Sequence, residues 1–417
     1  MPRLIGLLLL VITGVARAQP ASVPSNTCLT CHLQLSERFA APARQFADDV
    51  HAARGFGCVD CHGGNAAAPD QNAAKDAAYG YRGIPAGPQV ITTCARCHSD
   101  PGLMRRFAPT GRVDQESEYA VSVHGQRLAT GDRRVATCAS CHAAHGIRQV
   151  SDVRSPVFPT NVAATCGKCH GDPEYMKEYA LNGAPFPTNQ RTDYETSVHH
   201  HALTARNDLS APTCNDCHGN HGAAPPRVDA VTNVCGTCHG VFAQRFEPTT
   251  HAFVFERGCV ECHGNHAIQP ADDAMVGADA GTVCSTCHSP ADAGLAAAAL
   301  IRASLEDFKS TFERAEALVA RAHTAGMEMS AQQVALGQAR NHLTLARTEL
   351  HTFDPQAVDA TLGEGGVILD AIETAGAQAL AELQYRRGGL GVSLAVILLF
   401  VVALGFKVRQ LDRRLRH

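Results

Sequence analysis

One short pattern, Cys-x-x-Cys-His, occurs nine times in the chain and uses all 18 of its cysteines. Because no cysteine lies outside these pairs, each pair must act as a unit in the folded chain. The histidine belongs to the pattern, since one of the 22 histidines of the 417 residues follows every pair directly. The nine segments are Cys28–His32, Cys58–His62, Cys94–His98, Cys138–His142, Cys166–His170, Cys214–His218, Cys235–His239, Cys259–His263 and Cys284–His288.

This spacing is the attachment sequence of c-type haem, in which two thiols bond the porphyrin and the histidine binds its iron. Zinc ribbons also use paired cysteines, but they require no histidine after each pair, and an odd number of pairs cannot all combine into four-thiolate sites. A thioredoxin-like redox motif needs only one pair. We therefore predict nine covalent haem c groups. Their thiols are Cys28, Cys31, Cys58, Cys61, Cys94, Cys97, Cys138, Cys141, Cys166, Cys169, Cys214, Cys217, Cys235, Cys238, Cys259, Cys262, Cys284 and Cys287. Their iron ligands are His32, His62, His98, His142, His170, His218, His239, His263 and His288.

The repeated pattern resembles the multihaem c-type cytochromes over residues 28–288. The resemblance implies a haem-chain fold that is mainly α-helical with extensive loop. Aromatic residues are 5% of the chain and tryptophan is absent, so ordinary core material is scarce and the haems are expected to fill the interior.

A longer repeat contains two motifs, and we call this unit a module. The chain holds four modules. Their first motifs begin at Cys28, Cys94, Cys166 and Cys235, and their second motifs at Cys58, Cys138, Cys214 and Cys259. The ninth motif, at Cys284, is the first motif of a half module. A histidine lies between the two motifs of every module, at His51, His124, His199 and His251. Another follows the second motif by three residues in modules 2 to 4, at His145, His221 and His266, whereas module 1 has Asn65 there.

A single histidine is more often a satisfied surface or core residue than a ligand, but seven at repeated positions predict sixth ligands of haem iron. His221 lies only three residues beyond His218, which binds beneath its own iron, so we expect His221 to reach a neighbouring haem. Met104 and Met176 also occupy matched positions, which fit packing better than ligation.

Residues 291–387 lack cysteine and show helical periodicity. Apolar residues from Ile301 to Ala322 and from Leu336 to Phe353 recur at spacings of three and four, which predicts helices that pack together. Ser330 with Gln333 is typical of a capping box, and Asp354 before Pro355 of a helix start. Two histidines of this region, His351 and then His342, are the candidates for the remaining sixth ligands. A polar helix edge is the alternative for both.

The two ends of the chain predict export and anchoring. Residues 1–18 have the charged, apolar and Ala-x-Ala zones of a signal peptide. Residues 388–406 are uncharged and long enough for a transmembrane helix, and the positive charges of the tail, 407–417, predict a cytoplasmic C-terminus. Residues 19–290 then form the nine-haem domain and 291–387 a helical domain, both on the periplasmic face of the inner membrane.

These features favour an electron carrier. Two histidines on each iron leave no position for a substrate. We expect redox partners, namely an inner-membrane quinol-oxidising subunit and periplasmic cytochromes, with acceptors in the periplasm or outer membrane. The net charge of −4 shows no nucleic-acid footprint. The alternative is a haem enzyme acting on a small nitrogen or sulfur compound, similar to cytochrome c nitrite reductase or hydroxylamine oxidoreductase. In nitrite reductases the active-site haem has lysine in place of the motif histidine, a variation that none of the nine motifs shows.

Overall fold

The computed structural model describes residues 26–181, 183–226 and 231–415, so the predicted signal peptide lies outside the described residues. The chain is mainly α-helical with long loops, as predicted from the sequence. The described part contains one small sheet, in which β1 (Ala180–Leu181) pairs antiparallel with β2 (Ala184–Pro185). The chain divides into two compact units. The first runs to Thr188 and includes Asn207–Ala224, and the second consists of Asn189–Arg206 and the chain from Pro225 onward.

Short helices dominate the region of the Cys-x-x-Cys-His motifs. In chain order they are α1 (Thr27–His32), α2 (Glu37–Gln45), α3 (Cys58–His62), α4 (Gln71–Ala74), α5 (Pro88–His98), α6 (Pro101–Phe107), α7 (Gln115–Val121), α8 (Val123–Ala129), α9 (Cys138–His142), α10 (Pro159–His170), α11 (Pro173–Met176), α12 (Gln190–Glu195), α13 (Val198–Ala205), α14 (Cys214–His218), α15 (Val231–Gly236), α16 (Gly240–Phe246), α17 (Thr250–Val254) and α18 (Val260–His263). Short 3₁₀ helices cover Phe46–Asp48, Ala52–Arg54, Ala77–Tyr79, Asp273–Met275, Cys284–Thr286 and Leu350–Thr352.

Three long helices follow the last motif, namely α19 (Ala293–Thr324), α20 (Ser330–Glu349) and α21 (Pro355–Leu415). The largest cluster of buried apolar side chains lies between them, and it includes the periodic residues from Ile301 to Ala322. Gly365 of α21 allows a close approach, because a Cβ there would lie 2.8 Å from Cβ of His342. The three helices therefore form a bundle with an apolar core, and the domain bounds 291–387 stay a prediction.

The predicted helix starts have different outcomes. Asp354 caps α21 as predicted, because its side chain accepts a hydrogen bond of 2.9 Å from the N–H of Gln356. The capping box at Ser330 is wrong. The Ser330 hydroxyl donates to Glu328 instead, and the N–H of Gln333 donates to the Met329 carbonyl. Glu328 therefore satisfies the Ser330 hydroxyl and N–H at the start of α20.

The last helix, α21, is continuous for 61 residues and includes the predicted transmembrane segment without a break. Its most apolar window has a mean hydropathy of 2.6 and is entirely exposed, which makes it a candidate membrane span. The first part of α21 packs in the bundle, where Val358, Leu362 and Leu369 are buried. The bundle is thus joined to the candidate span by helical backbone.

Candidate functional site

The motif itself folds as one turn of helix in α3, α9 and α14, each of which begins at the first cysteine. The residue before the second cysteine caps this turn. Asp60 accepts from the N–H of Gly57 at 2.6 Å, and Asp216 accepts from the N–H of Thr213 at 2.8 Å. At 3.6 residues per turn, the two cysteines and the histidine lie on one face of the helix. The local fold therefore presents both thiols and the imidazole to the same porphyrin.

A backbone reversal follows the second motif of every module. The residue after the motif histidine has a positive φ, at 71° in Gly63, 70° in Ala143, 85° in Gly219 and 71° in Gly264. This conformation ends the helix and turns the chain away from its own motif. In modules 2 to 4 the histidine two positions later therefore follows a reversal that leads the chain away from its own motif.

The cysteines of the two motifs in each module lie together. The first cysteines of motifs one and two, Cys28 and Cys58, are within hydrogen-bonding range of one another. The same contact joins Cys94 with Cys138, Cys166 with Cys214, and Cys235 with Cys259. Since each thiol bonds one edge of a porphyrin, these contacts bring the two attachment edges of a module side by side.

The histidine between the motifs is held near the start of a short helix. Ser122 and Ser197 are buried, and their hydroxyls cap the helices that carry His124 and His199. Thr249 does the same for the helix of His251. A side-chain oxygen two residues before the histidine thus fixes its backbone in these three modules.

A repeated backbone hydrogen bond joins successive modules. The donor is the N–H of the residue just before the histidine that lies between the motifs. The acceptor is a carbonyl in the next module, two residues after His145, His221 or His266. The bonds are Val50 to Ile147 at 2.7 Å, Val123 to Ala223 at 3.1 Å and Val198 to Ile268 at 2.9 Å. Modules 1 to 3 are therefore each bonded to the module that follows along the chain.

Within the described residues of the two units, seven pairs of imidazole rings result from this arrangement, and each joins a motif histidine to a histidine from elsewhere in the same unit. Their ring centres are 5.9–6.2 Å apart. The pairs in the first unit are His98 with His51, His62 with His145, His170 with His124, and His142 with His221. The pairs in the second unit are His239 with His199, His288 with His251, and His263 with His351.

This separation matches two imidazoles on opposite sides of one metal ion. A metal–imidazole bond is about 2 Å and the ring centre lies about 1 Å behind the nitrogen, so such centres are roughly 6 Å apart. The residues present therefore fit a haem iron between each pair.

The pairs follow a rule that we call the ligand register. The histidine between the motifs of one module lies beside the first motif histidine of the next, as His51 lies beside His98. The histidine three residues past a second motif lies beside the second motif of the preceding module, as His145 lies beside His62. His221 follows the same rule, since its partner His142 belongs to the preceding module. At His263 the bundle supplies His351 in place of a further module.

Asp49 is a site residue that motif analysis missed. Its buried side chain, 4% exposed, accepts a hydrogen bond of 2.9 Å from Nδ1 of His51 and another of 2.8 Å from the N–H of Ile147. Burial alone raises the pKa of this carboxyl, but hydrogen bonds from His51 and Ile147 outweigh it and lower the pKa below its usual value. A carboxylate on Nδ1 leaves Nε2 of His51 for a metal. The signal in the sequence is its position, which matches Ser122, Ser197 and Thr249.

Burial favours the neutral form of most paired imidazoles. Desolvation disfavours imidazolium and lowers the pKa of ten of the fourteen rings, with neighbouring imidazoles adding to the effect at several of them. The ten are His98, His124, His142, His145, His170, His199, His221, His251, His263 and His351. The neutral ring is the form that binds a metal ion.

The segment between α20 and α21, residues 349–354, contacts two of the imidazole pairs, and we call it the corner. The ring of Phe353 lies 3.8 Å from that of His251, and the ring of Phe242 lies 5.1 Å from that of His351. Glu349 pairs with Arg245 of α16 at 2.7 Å. Aromatic and ionic contacts thus hold the corner against the module that it completes.

Other predicted ligands lie elsewhere. His342 is inside the bundle with Nδ1 3.6 Å from Glu364, and no motif imidazole lies beside it in the described part of the chain. His218 and His266 belong to different units, and their roles as iron ligands stay predictions. Met176 is buried, as expected for a packing residue.

Comparisons with known proteins agree with this geometry. Residues 50–171 match the cytochrome c3 family, and residues 251–293 match the family of the doubled CXXCH motif. The first range contains four of the motifs and the second contains two. No curated protein and no solved structure matches the chain. The family matches support a multihaem c-type cytochrome, with covalent haem c and a role in electron transfer.

Proposed function

We propose that the chain is a periplasmic, membrane-anchored cytochrome with nine covalent haems, which carries electrons between quinol oxidation in the inner membrane and acceptors in the periplasm or outer membrane. The haem supplies reversible one-electron chemistry at its iron. The protein supplies the two axial ligands, the attachment thiols and a buried environment. The observation that carries the proposal is the set of seven imidazole pairs with centres 5.9–6.2 Å apart.

Ligation of both axial positions favours electron transfer over catalysis at these seven irons. An iron that binds two imidazoles has no position for a substrate, and its coordination need not change with oxidation state. The carboxylate of Asp49 and the carbonyl of Gly83, which accepts from Nδ1 of His62 at 2.8 Å, orient ligand rings. Fixed ligands of this kind suit repeated electron exchange.

The close packing of motifs supports transfer from haem to haem within each unit. The first cysteines of a module contact one another, and Cys61 of module 1 interacts electrostatically with Cys97 of module 2. Contacts therefore alternate, first within a module and then between modules. Porphyrins bonded to these thiols would form a continuous series in each unit.

The apolar part of α21 supports the membrane location. Its side chains from Leu390 to Phe406 are exposed in the described chain. Lys407, Arg409 and Arg413 follow this segment, and the positive-inside rule then directs the C-terminus to the cytoplasm and the motifs to the periplasm. A carrier held at this surface could accept electrons from an inner-membrane quinol-oxidising subunit.

Spectroscopy of the full chain, purified from membranes in detergent, tests this function. We expect nine covalent haems per chain by haem and protein assay, and low-spin ferric signals from the great majority of them. A quinol-reduced membrane fraction should reduce the haems reversibly. A chain with mostly high-spin haem, or with few covalent haems, would contradict the proposal.

A further inference from the structure

The ligand register treats the first motif differently from the others. Every later module, and the ninth motif, takes the second ligand of its first iron from the module before it. His98 takes His51, His170 takes His124, His239 takes His199 and His288 takes His251. His32 is the one first-motif histidine for which this rule names no partner.

The proximal side of the His32 site is nevertheless complete. Nδ1 of His32 donates to the carbonyl of Phe39 at 3.3 Å, just as Nδ1 of His62 donates to the carbonyl of Gly83. This bond selects the tautomer whose Nε2 binds a metal. The Cys28 thiol contacts Cys58 as the first cysteines of the other modules contact one another. The first motif is therefore built to hold a haem like the rest.

The first unit offers no second ligand on the distal side. Among its described residues, the aromatic ring beside His32 is that of Phe39, at 6.3 Å, and no imidazole pairs with His32. Residues 26–50 contain no second histidine and no methionine, lysine or tyrosine. Both cysteines of this segment are committed to the porphyrin. The segment that carries the first motif thus supplies none of the common protein ligands for the second position of its iron.

Asn65 identifies module 1 as the end of the register. In modules 2 to 4 the matching position is a histidine, and in module 2 that histidine, His145, serves the preceding module. Asn65 instead accepts a hydrogen bond of 3.0 Å from the N–H of Ala67 within its own loop. Module 1 therefore has no histidine at the position that would serve a module before it. This agrees with the ligand register, in which His32 has no partner.

We infer that the iron bound by His32 has an open sixth position that accepts a small uncharged ligand of the diatomic class. A haem iron that is held by one histidine leaves its other axial position to a small ligand, and the exposed apolar side chains Leu33, Leu35 and Phe39 belong to the segment that follows this histidine. This inference rests on the proposed multihaem function and deepens it. The first haem of the first unit is then a ligand-binding haem, and the irons between the paired imidazoles are closed.

Carbon monoxide titration of the dithionite-reduced full chain tests the inference. The ligand register predicts His266 as the second ligand at His218, so we expect one carbon monoxide per chain of nine haems. The double variant Cys28→Ala/Cys31→Ala should lose one haem and all carbon monoxide binding. The matched variant Cys284→Ala/Cys287→Ala should also lose one haem but retain the binding.

His51→Ala provides a second variant that keeps every haem. It opens the iron of His98, so binding should rise from one carbon monoxide to two per chain. Full haem loading without carbon monoxide binding overturns the inference while leaving the proposed function intact, as does binding that survives in Cys28→Ala/Cys31→Ala. Poor haem loading or mostly high-spin haem in the unaltered chain would instead contradict the proposed function.

Discussion

Asp49 accepts hydrogen bonds from both the backbone N–H and the ring of His51. It occupies the helix-capping position of Ser122 and Ser197, and its carboxylate also binds Nδ1 of His51 and the N–H of Ile147. A neutral hydroxyl cannot make a charge-assisted bond to the ring. The iron served by His51 should therefore have a more electron-rich ligand than the irons served by His124 and His199.

Replacing Asp49 by alanine should raise the reduction potential of one haem and destabilise the first unit. The substitution removes the acceptor from His51 and leaves the buried N–H of Ile147 unpaired, which costs about 1–3 kcal/mol. A spectroelectrochemical titration and a denaturant unfolding curve measure the two effects. Asp48→Asn is the control, since Asp48 is mostly exposed and pairs with Arg148. Equal effects from the two substitutions would contradict a specific role for Asp49.

The planes of the paired rings fall into two groups. Three pairs that involve a second motif have planes 12–18° apart, whereas four pairs that involve a first motif are 38–87° apart. The angle between two axial imidazoles determines how the iron d orbitals split. Electron paramagnetic resonance of the oxidised chain should therefore resolve two classes of low-spin signal. The variant His145→Ala should reduce only the near-parallel class, and a loss confined to the crossed class would contradict the assignment.

At the scale of elements, Ala143 shows strain that the other modules avoid. Its φ of 70° and ψ of 164° belong to a region that glycine occupies readily and other residues rarely do. Gly63, Gly219 and Gly264 occupy the equivalent positions. The fold therefore imposes the positive φ after the motif histidine even where the residue is alanine, which disfavours it.

Ala143→Gly should therefore stabilise the first unit by about 1 kcal/mol, because relief of backbone strain exceeds the added entropy of the unfolded chain. A shift of the denaturant midpoint measures the change. Ala129→Gly, at the exposed end of α8, is the control and should destabilise by about 0.5–1 kcal/mol. A loss of stability in Ala143→Gly would show that the reversal carries no strain.

The second element of interest is the attachment of α19 and α20 to the segment after the eighth motif. Asp273, 6% exposed, accepts two hydrogen bonds from Arg347 at 2.8 and 2.9 Å and pairs with Lys309 at 3.2 Å. The Arg347 hydrogen bonds hold the pKa of Asp273 below its usual value, with Lys309 contributing. Arg347 lies one turn before His351, so this cluster fixes the end of α20 that supplies a ligand.

Asp273→Asn should destabilise the second unit by about 1–3 kcal/mol at neutral pH. A carboxyl whose pKa is lowered on folding stabilises the fold above its unfolded pKa of about 3.9, and this stabilisation is lost as the pH falls through the folded pKa. The difference between the variant and the unaltered chain should thus shrink below about pH 4. Unfolding followed by circular dichroism at several pH values measures it, with the exposed Asp279→Asn as control. A difference that does not depend on pH would contradict the ionic role.

At the scale of the whole molecule, the sequence predicted the repeated motifs and histidines but not which histidine pairs with which motif. Nine motifs, the histidines between them and the apolar seam of the bundle follow from spacing alone. The partner of each histidine does not, because Val50 and Ile147 meet only when two modules fold against one another. His342 of α20 and His351 of the 3₁₀ helix that follows it look equivalent in the sequence. Among the described residues His351 lies beside a motif histidine and His342 does not, because His351 lies at the corner that faces the fourth module. The predicted capping box at Ser330 is absent because the Ser330 hydroxyl donates to Glu328 instead, a local contact that the capping-box pattern does not predict.

Membrane attachment gives a prediction at this scale. A chain that ends at Arg387 lacks the apolar part of α21 but retains all buried residues of the bundle, from Ile301 to Ile372. We expect the exported variant in the soluble periplasmic fraction with its full number of haems, since the core does not require the removed segment. Fractionation followed by haem staining measures this, with the full chain as control. Retention of the variant in the membrane fraction would show that another surface provides the attachment.

The unbroken course of α21 has a mechanical consequence. At about 1.5 Å per residue, its 61 residues form a rod roughly 90 Å long. A flexible linker would let the bundle move to many distances from the membrane. A rigid helix instead transmits the tilt of its membrane-spanning part directly to the bundle. The stiffness of one helix would then set how far above the lipid the bundle is carried. Partners would dock within a narrow band of heights, and inserting a few glycines near Arg387 would widen that band.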